Sequence, residues 1–108
     1  MSGNALAAVR LSEADFQKRV TDLCTLLGLA WHHETDSRRS KAGFPDLVIV
    51  GKAARGAIFA ELKTDRGLVR PEQAWWHERL RAAGVEAYVW RPKDWPQVEA
   101  RIKKLAGR

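Results

Sequence analysis

Hydrophobic runs and polar breaks alternate along this chain in a way that predicts both strands and helices. The clearest stretch is residues 44–63, where two short apolar runs flank a six-residue connector that begins at Gly51 and ends at Gly56. Two apolar runs joined by a short connector with glycines at its ends predict a β-hairpin. We therefore expect residues 44–63 to form the hairpin around which the rest of the chain is organised.

The elements on either side of the hairpin follow from the spacing of apolar residues. A first helix is expected to begin at Ser12, which with Asp15 resembles a capping box, and to end at Gly28. Its apolar residues recur at helical spacing: Phe16, Val20, Leu23, Cys24 and Leu27. Further predicted elements are a strand at 29–33, an exposed polar loop at 34–43, a helix from Pro71 to Gly84, a strand at 85–90 and a last helix capped by Asp94. The order α-β-β-β-α-β-α predicts an α/β fold with a mixed sheet and helices packed on its faces.

The tryptophans are expected to supply much of the core. Trp31, Trp76 and Trp90 are assigned to it, because a small domain needs large apolar side chains. Trp75 is less easily buried at the same time as its neighbour Trp76, and both a dimer interface and a DNA contact remain open for it. Cys24 has no partner for a disulfide and is expected to pack as a small hydrophobic residue.

The composition fits one globular domain and limits its setting. The chain has 108 residues, 45% of them apolar, which is enough for one hydrophobic core and too little for two domains. We expect a loose lead-in at residues 1–11 and a single domain at residues 12–108. No apolar run approaches the about 18–20 residues that a membrane-spanning helix needs, and the first ten residues lack the pattern of a signal peptide. A cytoplasmic protein with no membrane partner is therefore expected.

The charge predicts a polyanionic partner. Lys and Arg number 19 against 13 Asp and Glu, which gives a net charge of +6 and a long-range attraction for nucleic acid. Candidate phosphate-binding residues lie just before and just after the hairpin: Arg38, Arg39, Lys41, Arg66 and Arg70. For such charged loops the alternative is a solvated surface run that binds nothing.

The candidate chemistry lies at one end of the hairpin. Glu61 and Lys63 point to the same face of their strand, because side chains alternate along a strand. In an antiparallel hairpin the start of the first strand lies beside the end of the second. Asp46 opens the first strand, so it should lie beside Glu61 and Lys63, which close the second. Two carboxylates and an ammonium group are suited to a divalent-metal site for phosphodiester hydrolysis. Asp46 and Glu61 are the expected ligands of one or two Mg²⁺ or Mn²⁺ ions, with the main-chain carbonyl of Leu62 as a third. Lys63 would orient the attacking water or stabilise the developing charge.

A further acid comes from the first helix. Glu13 lies about 35° from the centre of the apolar stripe, where a carboxylate needs a partner. It could bind the metal directly or through water. The alternative is a first-turn acid that the helix dipole favours. Gln17 lies one turn further along the same flank and is placed with the candidate DNA contacts.

The three histidines are not expected to form a metal site. His32 and His33 are adjacent in a predicted strand, so they point to opposite faces and cannot easily share a metal. His77 has no ligand partner four residues further along its helix. We interpret all three as structural or surface residues.

Taken together, these pieces resemble a known family. The chain is similar to the PD-(D/E)XK nuclease superfamily, whose core order is αβββαβ, and within it to a stand-alone VRR-NUC domain. The resemblance covers roughly residues 12–92 and rests on these segments: Glu13 with Gln17, Gly43-Phe44-Pro45-Asp46-Leu47, Glu61-Leu62-Lys63, Pro71-Glu72-Gln73, Trp76 and Tyr88-Val89-Trp90-Arg91. It implies a restriction-endonuclease-like core with an extra C-terminal helix. It also implies that Asp46 and Glu61 bind metal, that Lys63 is catalytic and that Glu13 assists the metal site. Gln73 would then face the active site or the DNA backbone.

The resemblance implies a metal-dependent endonuclease that is selective for DNA structure. Small stand-alone members suggest a homodimer that resolves four-way (Holliday) junctions in DNA repair, with no small-molecule cofactor. A nuclease for flaps or other branched DNA is the first alternative, and a non-catalytic DNA-binding module on the same fold is the second. The clustered acids favour the nuclease, because their repulsion costs stability unless a metal binds them.

Overall fold

The computed structural model describes residues 11–34 and 42–108. In these residues the elements are α1 (Glu13–Leu26), β1 (Ala30–His33), β2 (Leu47–Val50), β3 (Ala57–Leu62), α2 (Pro71–Ala82), β4 (Glu86–Trp90), a 3₁₀ turn (Pro92–Asp94) and α3 (Trp95–Leu105). The predicted mixed α/β class, the order αβββαβ and the extra C-terminal helix are confirmed. Most of the predicted lead-in falls outside the described residues. None of the described helices is long and apolar enough to cross a membrane.

The four strands form one sheet in the order β1-β2-β3-β4. The predicted hairpin is confirmed, because β2 pairs with β3 in antiparallel register with Leu47 opposite Ala60. β1 extends the sheet as an antiparallel neighbour of β2, whereas β4 lies parallel to β3. A parallel pair needs a crossover connection, and α2 supplies it between β3 and β4.

The hydrophobic core lies between the sheet and the helices α1 and α3. Alternate residues of the hairpin strands are buried at this face, as the period of two along a strand requires. The fully buried core residues come from α1, the hairpin and α3: Phe16, Val20, Cys24, Leu47, Ile49, Ile58, Ala60, Val98, Ile102 and Leu105. The predicted apolar stripe of α1 is therefore confirmed.

Of the three tryptophans assigned to the core, only Trp90 is buried in it. Trp31 is 38% exposed because it lies on β1, an edge strand, and its indole N–H donates to Thr25 Oγ1 at 3.0 Å. Trp76 lies outside the core cluster and packs edge-on against Phe44 at 4.9 Å between ring centroids. The assignment was wrong for these two because their positions depend on strand order and on how α2 docks.

The helix caps agree with the sequence at α1 and differ at α3. The Ser12 hydroxyl accepts a hydrogen bond from the Asp15 N–H at 3.0 Å, as a capping box requires. Asp94 precedes α3, but its carboxylate makes no side-chain cap there. It accepts instead from the Arg91 N–H at 3.2 Å and so closes the 3₁₀ turn.

The turn of the hairpin holds two alanines in a left-handed backbone conformation. Ala53 has φ 49° and Ala54 has φ 63°, and the Arg55 N–H donates to the Lys52 carbonyl across them at 3.1 Å. Two consecutive residues with positive φ are typical of a type I′ hairpin turn, which usually contains Asn-Gly. Alanine is strained in this region because its Cβ approaches the backbone.

Replacing Ala54 by glycine should therefore stabilise the protein. We expect Ala54→Gly to raise the free energy of unfolding by roughly 0.5–1 kcal/mol, the relief of strain less the entropy that glycine loses. Ala100→Gly, at an exposed position within α3, is the matched control and should lower it by about 1 kcal/mol. Urea unfolding followed by circular dichroism measures both. A loss of stability in Ala54→Gly would contradict the left-handed turn.

Candidate active site

Three charged side chains meet where β2 begins and β3 ends. Continuing the register of Leu47 with Ala60 by one residue places Asp46 beside Glu61, as predicted from the sequence. Lys63 follows directly after β3, and its Nζ lies 4.0 Å from Glu61 Oε2. The side chains of Glu61 and Lys63 are 9% and 12% exposed, and that of Asp46 is 28% exposed. The three groups therefore share a corner that is largely shielded from solvent.

Pro45 changes the hydrogen bonding at this corner. Hydrogen-bonded pairs recur at every second residue of an antiparallel ladder, and the Gly51 N–H donates to the Gly56 carbonyl at 2.7 Å. Counting along the hairpin from this pair, Pro45 and Leu62 would form a hydrogen-bonded pair at the site. Proline has no N–H, so it cannot donate to the Leu62 carbonyl. This side of the carbonyl can therefore accept a cation, as the metal prediction requires.

Asp46 has one carboxylate oxygen that is buried without a hydrogen-bond partner among the described residues. Within residues 11–34 and 42–108, its Oδ1 is buried and has no hydrogen-bond partner. Its Oδ2 lies 3.5 Å from His33 Nε2. Burial raises the pKa of Asp46, the nearby His33 opposes this, and the charge of Glu13 adds to it. A buried oxygen without a hydrogen-bond donor costs free energy, and a cation bound to this atom would remove that cost.

Glu61 is held by the first turn of α2. Gln73 is 2% exposed, and its Nε2 donates to Glu61 Oε2 at 3.1 Å. The Gln73 Oε1 accepts from the Arg70 N–H at 2.9 Å, which fixes the orientation of the amide. Burial and the charge of Asp46 raise the pKa of Glu61 to about 7, although Lys63 lowers it. Gln73 therefore lies at the candidate site and aims one carboxylate.

A glycine allows α2 to approach this corner. Gly43 has φ +83°, and a Cβ there would lie 2.4 Å from the Glu72 carbonyl carbon. Any other residue would push the loop before β2 away from the first turn of α2. The Trp76 indole N–H then donates to the Ala42 carbonyl at 3.1 Å. These contacts hold the strand that carries Asp46 against the helix that carries Gln73.

The remaining predicted site residues fall into two groups. Glu13 is exposed in the first turn of α1, and its charge raises the pKa of both Asp46 and Glu61, so it belongs to the same electrostatic cluster. Arg70 is also near, because its charge lowers the pKa of Glu61, and it forms an ion pair with Glu72 at 3.3 Å.

The other candidate DNA contacts lie on the periphery of this corner or outside the described residues. The Gln17 amide contacts Thr21 Oγ1 at 3.5 Å along the flank of α1. Arg66 is exposed and helps line a cleft of about 300 Å³ beside Leu11 and Ser12, at the start of α1. The basic residues Arg38, Arg39 and Lys41 lie outside the described residues.

The histidines divide in a way that the sequence did not reveal. His77 is buried, as a structural residue would be, and His32 is exposed on β1. His33, interpreted from the sequence as a structural or surface residue, contacts Asp46, with Nε2 3.5 Å from Oδ2. The pairing of β1 with β2 was the missing information, because His33 is opposite Leu47 and thus next to Asp46.

The residues present fit a divalent cation. No group of three His, Cys, Asp or Glu side chains in the described part of the chain is arranged to hold a metal ion by itself. Mg²⁺ does not need such a cage, since it commonly uses one or two carboxylates and keeps several waters. Asp46 Oδ1, the Glu61 carboxylate and the Leu62 carbonyl are oxygen donors of the kind it prefers.

The fold and this corner define a restriction-endonuclease-like domain of the PD-(D/E)XK superfamily. The family model for the VRR-NUC domain matches residues 8–94, and the chain belongs to this family. A solved structure described as a VRR_NUC domain protein is similar in fold, with a TM-score of 0.67 and 24% sequence identity over 90% of this chain and 92% of that chain. No curated protein matches the chain. VRR-NUC is a nuclease-type domain, which implies binding to DNA.

The raised pKa of Glu61 predicts that ionisation of this residue destabilises the metal-free protein. The pKa is 4.5 for the ordinary side chain and about 7 here, so stability should fall as pH rises from about 4.5 to 7. At pH 8, Glu61→Gln should raise the free energy of unfolding by roughly 3 kcal/mol at most. At pH 4 the two proteins should be equally stable.

Thermal unfolding in the presence of a chelator measures this difference at each pH. Glu78→Gln, at an exposed carboxylate, is the control and should leave the melting temperature almost unchanged at both pH values. Added Mn²⁺ should stabilise the wild type more than Glu61→Gln. Equal melting temperatures of the wild type and Glu61→Gln at pH 8 would contradict the buried, repelled carboxylate.

Proposed function

We propose that this protein is a divalent-metal-dependent endonuclease that cleaves DNA according to its structure, as a homodimer acting on four-way junctions. The observation that carries the proposal is the pair of mostly buried carboxylates, Asp46 and Glu61, with Lys63 beside them in a VRR-NUC domain. A protein that only bound DNA would have no use for two repelling acids facing its polyanionic ligand.

The side chains have separate tasks in this proposal. Mg²⁺ or Mn²⁺ held by Asp46, Glu61 and the Leu62 carbonyl would supply an activated water and neutralise charge on the scissile phosphate. Lys63, 4.0 Å from Glu61 Oε2, is near enough to orient that water or to stabilise the developing charge. Gln73 keeps Glu61 in place through its amide, and Glu13 adds negative charge that favours a cation.

The DNA would be held by positive charge around this corner. The net charge of +6 attracts a polyanion; Arg70 is exposed and near enough to lower the pKa of Glu61, and Arg66 is exposed on the periphery. In this proposal the phosphate backbone of the DNA is bound by these two residues and by the basic residues Arg38, Arg39 and Lys41. Gln17 is a weaker candidate, because its amide already contacts Thr21.

The shape of the DNA and the oligomeric state are linked. A four-way junction is symmetric, so paired cuts require two active sites related by a two-fold axis. A flap or another branched DNA needs only one site and is the alternative substrate. Trp75 is 48% exposed on α2, which is compatible with a dimer interface or a DNA contact. A role in DNA repair and a cytoplasmic location are part of the same proposal.

The direct test is cleavage of labelled four-way junction, flap and linear duplex DNA with Mg²⁺ or Mn²⁺. We expect paired nicks in the junction and a loss of about a hundredfold or more in Lys63→Ala, because the transition state loses a charged partner. Lys93→Ala, at an exposed lysine, is the matched control and should cut like the wild type.

The possible outcomes separate the candidates. Cutting confined to flaps or duplex would retain the nuclease and exclude the resolvase. Binding with no cutting in either metal would favour the non-catalytic module.

The homodimer can be tested without DNA. Sedimentation equilibrium of the full chain should give twice the mass of one chain at micromolar concentration. Equilibrium binding should give two chains per junction. A monomer that binds the junction one to one would remove the two-fold argument, while leaving cleavage of flaps open.

A further inference from the structure

The two carboxylates of the candidate site share a pattern. In each, one oxygen is next to a nitrogen from a neighbouring element: Asp46 Oδ2 lies 3.5 Å from His33 Nε2, and Glu61 Oε2 lies 3.1 Å from Gln73 Nε2. The other oxygen of Asp46, Oδ1, is buried and finds no hydrogen-bond partner in the parts of the chain that the structure describes. A nitrogen beside one oxygen leaves the other oxygen as the one that is better placed to meet a cation.

We propose that His33 is a positioning residue for the metal site: its ring holds Asp46 Oδ2, so that Oδ1 is the oxygen that meets the metal. The inference rests on the proposed metal-dependent function and adds a residue to it. Partners of this kind orient metal-binding carboxylates, and their loss typically costs 10- to 100-fold in metal affinity.

The backbone fixes the histidine in this place. His33 is the last residue of β1 and pairs with Leu47, the residue after Asp46. The Glu34 N–H donates to the Asp46 carbonyl at 2.7 Å, which continues the ladder past the end of both strands. The His33 side chain is 20% exposed, so it has little freedom to turn into solvent. Strand pairing therefore holds the backbones of the two residues side by side, and the low exposure of the ring keeps it near the carboxylate.

The distance points to an effect on the metal and not on the fold. At 3.5 Å the contact is at the long limit of a hydrogen bond and contributes little to the stability of the free protein. Such contacts often tighten when the site is loaded. With its proton on Nε2, the ring would then donate to Oδ2 while Oδ1 binds the cation.

The same contact could also arise if His33 were itself a ligand, and metal identity separates the two roles. An imidazole nitrogen suits transition metals, whereas Mg²⁺ prefers oxygen. If His33 is a ligand, its loss should therefore weaken the binding of Mn²⁺ much more than the binding of Mg²⁺. Loss of a positioning residue should weaken both by a similar factor, because the ligands themselves remain.

The experiment measures Mn²⁺ binding to the full chain without DNA, by the paramagnetic resonance signal of the free ion, and Mg²⁺ binding by competition. His33→Ala removes the donor, whereas His33→Gln can place an amide N–H near the position of Nε2. His32→Ala, at the exposed neighbouring residue, is the matched control. Circular dichroism during heating checks that each variant folds.

We expect His33→Ala to lower the affinity for Mn²⁺ and for Mg²⁺ about 10- to 100-fold. The affinities of His33→Gln should stay within about threefold of the wild type, and those of His32→Ala should be unchanged. Junction cleavage by His33→Ala should recover at high Mn²⁺, because the reacting groups are intact. If His33→Ala fails to fold, His33→Leu, which removes the donor but keeps a larger side chain, replaces it in the comparison with His33→Gln.

Two results would overturn the inference. One is Mn²⁺ affinity in His33→Ala equal to that of the wild type. The other is selective loss of Mn²⁺ in both His33 variants with Mg²⁺ unaffected, which would make the ring a ligand. Failure of the proposed function looks different: a wild type that binds Mn²⁺ in a His33-dependent way and cuts no DNA would exclude the nuclease and leave the role of His33 intact.

Discussion

The repulsion between two mostly buried carboxylates is the constraint on which the site depends. Asp46 and Glu61 are neighbours across the hairpin, and burial raises the pKa of each. Low exposure makes their charge expensive, and proximity makes it more so. Lys63 offsets part of this cost for both. The rest is what a divalent cation could relieve, so the same unfavourable contact that weakens the free protein would strengthen metal binding.

The surrounding structure keeps these groups from relaxing apart. The hairpin register fixes the two carboxylates, and Gly43 lets the loop before β2 lie against the first turn of α2. The Gln73 amide joins this turn to Glu61 because its oxygen is already bound by the Arg70 N–H. The helix cap and the candidate site are therefore one hydrogen-bonded unit. A change in the packing of α2 would be felt at Glu61 through this amide.

Much of this arrangement could be predicted because it depends on local rules. The glycines of the connector predicted the hairpin. Antiparallel pairing of its two strands was then enough to predict that Asp46 lies beside Glu61 and Lys63. The stripe of α1 and the cap at Ser12 followed from spacing in the same way. Gln73 was tied to the site only through resemblance to a family, since a glutamine in the first turn of a helix has many uses.

The sequence missed features that depend on contacts between elements distant in the chain. Trp31 was assigned to the core, yet it lies on β1, which among the described strands has a neighbour on one side only. His33 was interpreted as a structural or surface residue, and its contact with Asp46 was not foreseen, because a single strand shows only which way a side chain points and not which strand lies beside it. The sequence by itself determined the hairpin, its register and the acids at its end, since these follow from neighbours in the chain. Only the tertiary structure decided the order of the strands, the docking of α2 and the contact of His33 with Asp46, because these depend on how faces pack.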